Sequence, residues 1–380
     1  MIHYKLLSLL MLFFLSCSSP EKSDYNSIKV EIDDRTPVSV FDLFEKIEII
    51  PLETSSSSLF HFARKVICHD NVLYIHNYES REILAFDIDG KYLLKISNMG
   101  QGPNEYRHIS DFTIDKYTNR ILIVDPISNN LLEFDLNGKF LSKIKLPAIT
   151  GAYSKLTCLN NNIIAFWTYD YSNRLKIFDR NDNNIFNEYF PREVHSVLDH
   201  FEISPFNYNN YIIAESAIDN NIYSISSEGN LLIDYTWDFE KLNNPINLAE
   251  ELPERELNTA ESRSLLINQM RSSEIVNYYF SNIGGNCKYR YAQIIRKGKV
   301  VNIMNEISEN KTMIFEKTIE NATFHPFWWD DSFVIGYGPY SGIETLEETL
   351  PDIILDEENL TKKKQIKNDD NQVFIKYYFK

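Results

Sequence analysis

The chain repeats itself at a fixed spacing, and this limits its possible folds more than any single residue does. Val72-Leu73-Tyr74-Ile75, Ile83-Leu84-Ala85-Phe86-Asp87 and Asp89-Gly90-Lys91-Tyr92-Leu93 return as Ile121-Leu122-Ile123-Val124-Asp125, Leu131-Leu132-Glu133-Phe134-Asp135 and Asn137-Gly138-Lys139-Phe140-Leu141. The offset from Gly90 to Gly138 is 48 residues. A third copy runs through Ile163-Ile164-Ala165-Phe166, Leu175-Lys176-Ile177-Phe178-Asp179 and Asn181-Asp182-Asn183. A fourth contains Tyr211-Ile212-Ile213-Ala214, Ile222-Tyr223-Ser224-Ile225 and Glu228-Gly229-Asn230-Leu231-Leu232.

Each copy consists of short β-rich runs separated by turn residues, and Asp89-Gly90, Asn137-Gly138 and Glu228-Gly229 mark tight hairpins. Runs such as Ile121 to Val124 are apolar throughout instead of alternating, so both faces of each sheet must be covered. Four-stranded units at a period in the forties, packed face to face around an axis, predict an all-β propeller. Four blades occupy roughly residues 62–237, a fifth falls at 276–317, and a sixth begins at 322–327 and 332–337. Two orphan strands, at 47–52 and 372–379, would pair inside the last blade and close the ring without a free edge. Between blades four and five, Asn258 and Glu261 give a helix-start signal, and Leu257, Ala260, Leu265 and Met270 share one face. A helical insertion is therefore expected at about 240–275, and a second short helix between 352 and 363.

Composition bears on compartment and partners. Hydrophobic residues make up 43% of the chain, with 24 Phe and 23 Tyr, enough for a substantial core. The formal charge of −16 argues against a nucleic-acid partner, which needs phosphate-neutralising surface. Lys5, the apolar run from Leu6 to Leu15 and Ser16-Cys17 have the layout of a cleaved export signal. The expected organisation is a lipoprotein signal at 1–16, lipid attachment at Cys17, a tether at 17–40 and a six-bladed propeller at 41–380. Cys68, Cys158 and Cys287 form no CxxC pair, which disfavours a disulfide framework and a zinc site. No metal and no cofactor is expected.

Several motifs carry a family likeness. Ile49-Ile50-Pro51-Leu52-Glu53-Thr54, the Phe-Asp-x-x-Gly-Lys turns, Gly100-Gln101-Gly102-Pro103-Asn104-Glu105-Tyr106 and Asp370-Asn371-Gln372-Val373 resemble the six-bladed β-propeller lipoproteins of Bacteroidetes. Gln372 stands where that family commonly has Pro. Single repeats are also similar to NHL-type propeller repeats. The resemblance implies the propeller architecture and export to the cell envelope as an outer-membrane lipoprotein, with the membrane face undecided. It implies no settled activity, so function has to be argued from a site.

Strand order locates the candidates. The connection from an outer strand to the next inner strand shares a face with the second-to-third connection, so the 100–106 loop should lie beside 77–81, 126–130, 169–174 and 217–220. The Asp-Gly turns fall on the opposite face. The first face offers Gln101, Asn104, Glu105, Tyr106, Arg107 and His108, with Trp167, Tyr169, Asp170, Tyr171 and Arg174 from blade three. A second cluster is His325, Trp328, Trp329, Asp330, Asp331, Tyr337 and Tyr340. Rings beside amides and carboxylates suit sugars or peptides, because the rings cover apolar CH surface while polar groups fix orientation. The competing reading makes Gly100, Gly102, Pro103 and Glu105 conformational and the Trp and Tyr side chains packing.

No Gly-x-Ser-x-Gly elbow, His-Glu-x-x-His helix or Gly-Lys-Ser/Thr phosphate loop occurs. The expectation is a membrane-attached binding or scaffold module for a glycan, a peptide or an envelope protein. The alternative is a propeller enzyme of lactonase, lyase or hydrolase type, drawing acid–base groups from Glu105, His108, Asp111 and His325.

Overall fold

The computed structural model describes residues 26–35, 37–170, 172–191, 211–213, 220–242, 268, 272, 280–338 and 342–380. The chain enters through strand β1 (Asn26–Lys29), helix α1 (Val40–Leu43) and strand β2 (Phe44–Ile50), which join blades reached much later. Blade one is β3 (Ala63–His69), β4 (Val72–Asn77), β5 (Glu82–Asp87) and β6 (Tyr92–Ile96). Blade two is β7 (Asp111–Asp115), β8 (Arg120–Asp125), β9 (Asn130–Asp135) and β10 (Phe140–Lys145). Blade three is β11 (Tyr153–Cys158), β12 (Ile163–Thr168), β13 (Asn173–Asp179) and β14 (Asn184–Pro191). In blade four the described strands are β15 (Tyr211–Ile213), β16 (Asn221–Ile225) and β17 (Leu231–Asp238), with β1 added in parallel along β17. Blade five is β18 (Phe280–Gly285), β19 (Tyr289–Arg296), β20 (Lys299–Glu306) and β21 (Lys311–Phe315). Blade six is β22 (Pro326–Trp329), β23 (Phe333–Tyr337) and β24 (Phe374–Phe379), completed by β2 on its outer side.

Repeated turn chemistry makes the repeated sheets. In blade one the Asp87 carboxylate accepts from the backbone N–H of Asp89 (3.1 Å) and Lys91 (2.8 Å), while Gly90 N–H donates to the Asp87 carbonyl (3.0 Å). Blade two copies this with Asp135, Asn137, Lys139 and Gly138, and in blade four the Ser226 hydroxyl takes the carboxylate's place. Each turn glycine also closes against the preceding blade. A side chain at Gly90 would strike the Pro51 carbonyl, one at Gly138 would press on Leu94 and Ile96, and one at Gly229 would strike Ile177. All three have φ between 79° and 91°, where a β-carbon is strained in any case.

The core is a series of layers between blades. Tyr74, Ile83 and Ala85 of blade one meet Phe112, Ile121 and Ile123 of blade two, and the other face of blade one, with Leu73, Ile75 and Leu84, meets Ile335 and Phe374 of blade six. Both faces of a blade are thus apolar, as its unbroken hydrophobic runs predict. Burial of each such Ile or Leu contributes about 1.5–3 kcal/mol, so a blade needs both neighbours.

The two orphan strands close the ring as expected. β2 pairs antiparallel with β24, with Ile47 opposite Tyr377 and Ile49 opposite Ile375. The connection before β24 carries α2 (Gly342–Thr349) and α3 (Glu357–Gln365), the latter five residues later at its start than expected from 352. Asn359 of α3, itself buried, accepts from Ile49 N–H (2.7 Å) and donates to the Ile47 carbonyl (3.2 Å), so the exposed edge of β2 is capped by one side chain. The Gln372 side chain fastens the last blade to the first inner strand, because its Oε1 accepts from Ala63 N–H at 3.2 Å.

The tether boundary needs correction. Residues 26–32 belong to the propeller, because Ile28, Val30 and Ile32 alternate and bury against Trp237, Phe239 and blade five. From there Asp33 pairs with Arg296 (2.6 Å) and Arg35 with Glu316, so this arm braces blades four and five before β2. The signal, Cys17, the early tether and most of the insertion expected at 240–275 lie outside the described residues. Of the last, Glu240–Leu242 forms one turn of 3-10 helix, and Asn268 and Ser272 are helical.

Candidate functional site

The inner strands meet around the axis, with β22 touching β3, β3 touching β7 and β7 touching β11. One face of the ring is formed by the loops 78–81, 97–110, 126–129 and 146–152, with 169, 170 and 172 of blade three. Tyr106 hydroxyl donates to the Arg81 carbonyl (2.7 Å), Arg107 N–H to the Asp125 carboxylate (3.0 Å) and Tyr169 N–H to the Ala152 carbonyl (2.8 Å), which ties these loops together.

Within the 100–106 loop the conformational reading holds for several residues. The Glu105 carboxylate accepts from Gly102 N–H at 2.6 Å, and a β-carbon at Gly100 would collide with that same carboxylate. Lys143 Nζ donates to the carbonyls of Gly102 (3.2 Å) and Glu105 (2.9 Å), fixing the loop onto blade two. Tyr106 is fully buried between blades one and two. Gln101, Asn104 and Arg107 are exposed, and His108 is half-buried with its ring edge toward Tyr78 (6.2 Å).

The third-blade candidates divide between core and surface. Trp167 is buried against Phe190, and Arg174 is buried as well, so neither is presented to a ligand, contrary to expectation. Asp170 accepts from Lys176 Nζ (3.0 Å), Ser172 N–H (3.0 Å) and Thr150 Oγ1 (2.5 Å). Although burial pushes its carboxyl up, these donors hold it at about 2. Tyr169 is exposed, and Tyr171 lies outside the described residues.

In blade six Trp329 is buried, stacked on Phe379 (5.8 Å) and near Tyr291 (5.0 Å), with Gly284 of blade five pressed against its indole. It is an interblade side chain, which corrects its place among the ligand candidates. Trp328 is half-buried and packs toward blade one. His325 stacks on Tyr337 (5.4 Å), and burial lowers its pKa. Tyr340 lies outside the described residues. Ring contacts gather His325, Phe327 and Tyr337 in one group and Tyr78, His108 and His76 in another.

Side chains not selected from the sequence do come together. The guanidinium of Arg64, on inner strand β3, sits 4.2 Å from the centre of the Tyr78 ring, and Tyr78 in turn contacts His108 and His76, each at 6.2 Å. His76 is 1% exposed, also meets Phe112, and has no hydrogen-bond partner on either ring nitrogen. Burial drives its pKa down to about 3, and Lys155, Arg64 and Lys65 push the same way against Asp111. The His108 pKa is lowered by burial, with Arg81 and Arg64 adding to the effect and Asp125 opposing it.

The loops of this face also carry exposed apolar side chains. Tyr78, Met99, Ile127 and Tyr169 are all exposed and come from its loops in three successive blades. Among the described residues, no group of three or more His, Cys, Asp or Glu side chains is placed to hold a metal ion. Burial raises the Cys158 thiol well above its ordinary value and lifts that of Cys68 to about 11, so neither is a ready nucleophile.

Comparison with solved structures supports the ring. The chain is similar to a protein of Bacteroides fragilis described only as exported, at a TM-score of 0.69 and 15% identity, covering 93% of this chain and 99% of that one. It is also similar to a member of the DUF4221 family from Bacteroides vulgatus, at a TM-score of 0.50 and 11% identity, covering 91% of this chain and 99% of that one. These identities speak to the fold alone. No curated protein matches the sequence. Residues 25–378 match the family described as a domain of unknown function, DUF4934, and the chain belongs to that family.

Proposed function

We propose that this protein is an exported, lipid-anchored binding module of the outer membrane, built from NHL-like repeats, which holds a glycan, a peptide or an envelope protein on the face carrying the 97–110 loop. The observation that supports it is the collection of Tyr78, Met99, Ile127 and Tyr169 on that face, beside His108 and Arg81. Solvent-facing apolar groups next to polar side chains suit recognition. Two of the acid–base candidates are already engaged: Glu105 takes its own loop's N–H, and Asp111 is bound to Lys65.

A glycan and peptide panel tests the reading. Saturable binding that falls about tenfold in Tyr169→Ala, with unchanged melting temperature, is expected for one anchoring ring. Turnover of a lactone or glycan substrate that survives Tyr169→Ala would replace this reading with an enzymatic one. For the anchor, a fatty-acid probe should label the native protein in cells and miss Cys17→Ala; equal labelling of both removes the lipoprotein reading.

A further inference from the structure

The arm that opens the described chain leaves little slack ahead of it. Asn26 to Lys29 pair in parallel with Tyr235 to Asp238 on the outer strand of blade four, and Val30 N–H donates to the Asp238 carbonyl (2.8 Å). Ile28, Val30 and Ile32 are at most 2% exposed, and Asp33 then meets the buried guanidinium of Arg296. Freeing the arm would expose three apolar side chains and break that ion pair, so Asn26 is a fixed point on the perimeter of blade four.

Chain length sets how far that point can stand from an acyl group on Cys17. Nine residues run from Cys17 to Tyr25. Whatever their conformation, they reach at most about 30 Å. A free tether over 17–40 would have reached about 80 Å. A single domain of this length is about 50 Å across. The longer tether would let any side of the ring lie toward the bilayer, whereas the shorter one keeps blade four close to it. Lying flat would bring most of a chain carrying −16 against anionic headgroups, while approach by one edge keeps that charge away.

We propose that the ring stands edge-on to the membrane, with the perimeter of blade four toward the lipid surface and blade one, three places away among six, turned from it. This rests on the reading of Cys17 as a lipid anchor and adds the side from which a partner is met. The 97–110 loop joins blades one and two. It is therefore carried on the far side of the ring, where it meets a partner arriving from beyond the bilayer and not a headgroup of the membrane that holds the protein.

The repeats supply matched probe positions around the perimeter. Leu93, Leu141 and Leu232 each follow their turn glycine by three residues, and Phe186 likewise follows Asn183, which takes the glycine's place with φ 50°. All four stand on outer strands and are 43–64% exposed, so a label at any of them replaces no core side chain. Leu232 is three residues along β17 from Tyr235, the partner of Asn26, which is about 10 Å. Each is changed to Cys in turn and given a nitroxide, in a Cys287→Ser background because Cys287 is exposed.

The acylated protein is placed on vesicles of phosphatidylethanolamine and phosphatidylglycerol doped with a gadolinium-chelating headgroup lipid. Nitroxide relaxation should be enhanced most in Leu232→Cys, less in Phe186→Cys and Leu141→Cys, and least, by several-fold, in Leu93→Cys. A Gly/Ser insertion after Asp24 that lengthens the reach beyond the ring's width should level the four. A level profile without the insertion, as a ring lying on one face would give, overturns the orientation. So does a profile highest at Leu93→Cys, or one that the insertion leaves unchanged. If fatty-acid labelling shows no acyl group on Cys17, the lipoprotein reading falls and takes the orientation with it. Acylation with a level profile removes the orientation alone.

Discussion

Asp111 on blade two grips Lys65 on blade one, with both carboxylate oxygens accepting from the ammonium, at 3.1 and 2.9 Å. The second oxygen also accepts from the N–H of Leu156 on blade three, at 3.1 Å. One carboxylate therefore links three inner strands close to the axis. Lys65 donates in addition to the Phe112 carbonyl at 2.8 Å, so its ammonium is well satisfied.

Breaking that link should be costly, because Asp111 is almost wholly buried and its removal strands a cation and a backbone donor. Asp111→Ala is expected to lose about 3–5 kcal/mol in chemical denaturation. Lys65→Met combined with Asp111→Leu should lose clearly less than the two single changes summed, since neither charge is then left alone. Strict additivity would mean that the pair does not act as a unit.

Stability should fall with acid in a way traceable to His76. Its folded pKa of about 3 lies below the ordinary 6.5, so the native state keeps the ring neutral while the unfolded chain takes up a proton. The contribution is present above pH 6.5 and is lost as pH falls from there toward 3. The slope approaches about 1.4 kcal/mol per pH unit for one proton. His76→Phe should flatten the stability profile between pH 6.5 and about 4 by close to that amount. An unchanged slope would show that the imidazole is not held neutral.

The arm ahead of β2 is expected to be structural. Ile28→Ala should cost about 2–5 kcal/mol, as for a truncated core side chain. Deleting residues 26–32 would uncover Trp237 and Phe239 and should lower the melting temperature by several degrees. A deletion that melts with the intact protein would contradict the bracing role.

Ring closure depends on β24, which lies between β23 and β2. Removing residues 372–380 takes out a central strand and also the Gln372 link to Ala63. The truncated chain should fail to give a cooperative thermal transition. If it melts at the intact protein's temperature, β2 and β23 are held by something other than β24.

Much of the ring was determined by the sequence itself. The 48-residue offset, the Asp-x-x-Gly turns and the unbroken apolar runs are local features, because a turn's hydrogen bonds and its glycine φ are set within about five residues. Even closure could be read, since two strand-like segments at the chain's ends had no other partner. The alternation Ile28-Lys29-Val30-Glu31-Ile32 was equally visible, yet its polar surroundings read as a tether. Alternation says that one side of a strand is covered but not which sheet covers it, and only the fold brought it to Trp237. The same limit applies to the two tryptophans, where Gly284 on another blade makes Trp329 the buried one. Arg64, His76, Asp111 and Lys155 belong to three blades, and no spacing along the chain relates them. Arg64, Asp111 and Lys155 stand on inner strands and His76 on the second strand of blade one, and packing blades around one axis places such side chains by rotation about that axis and not by distance in sequence.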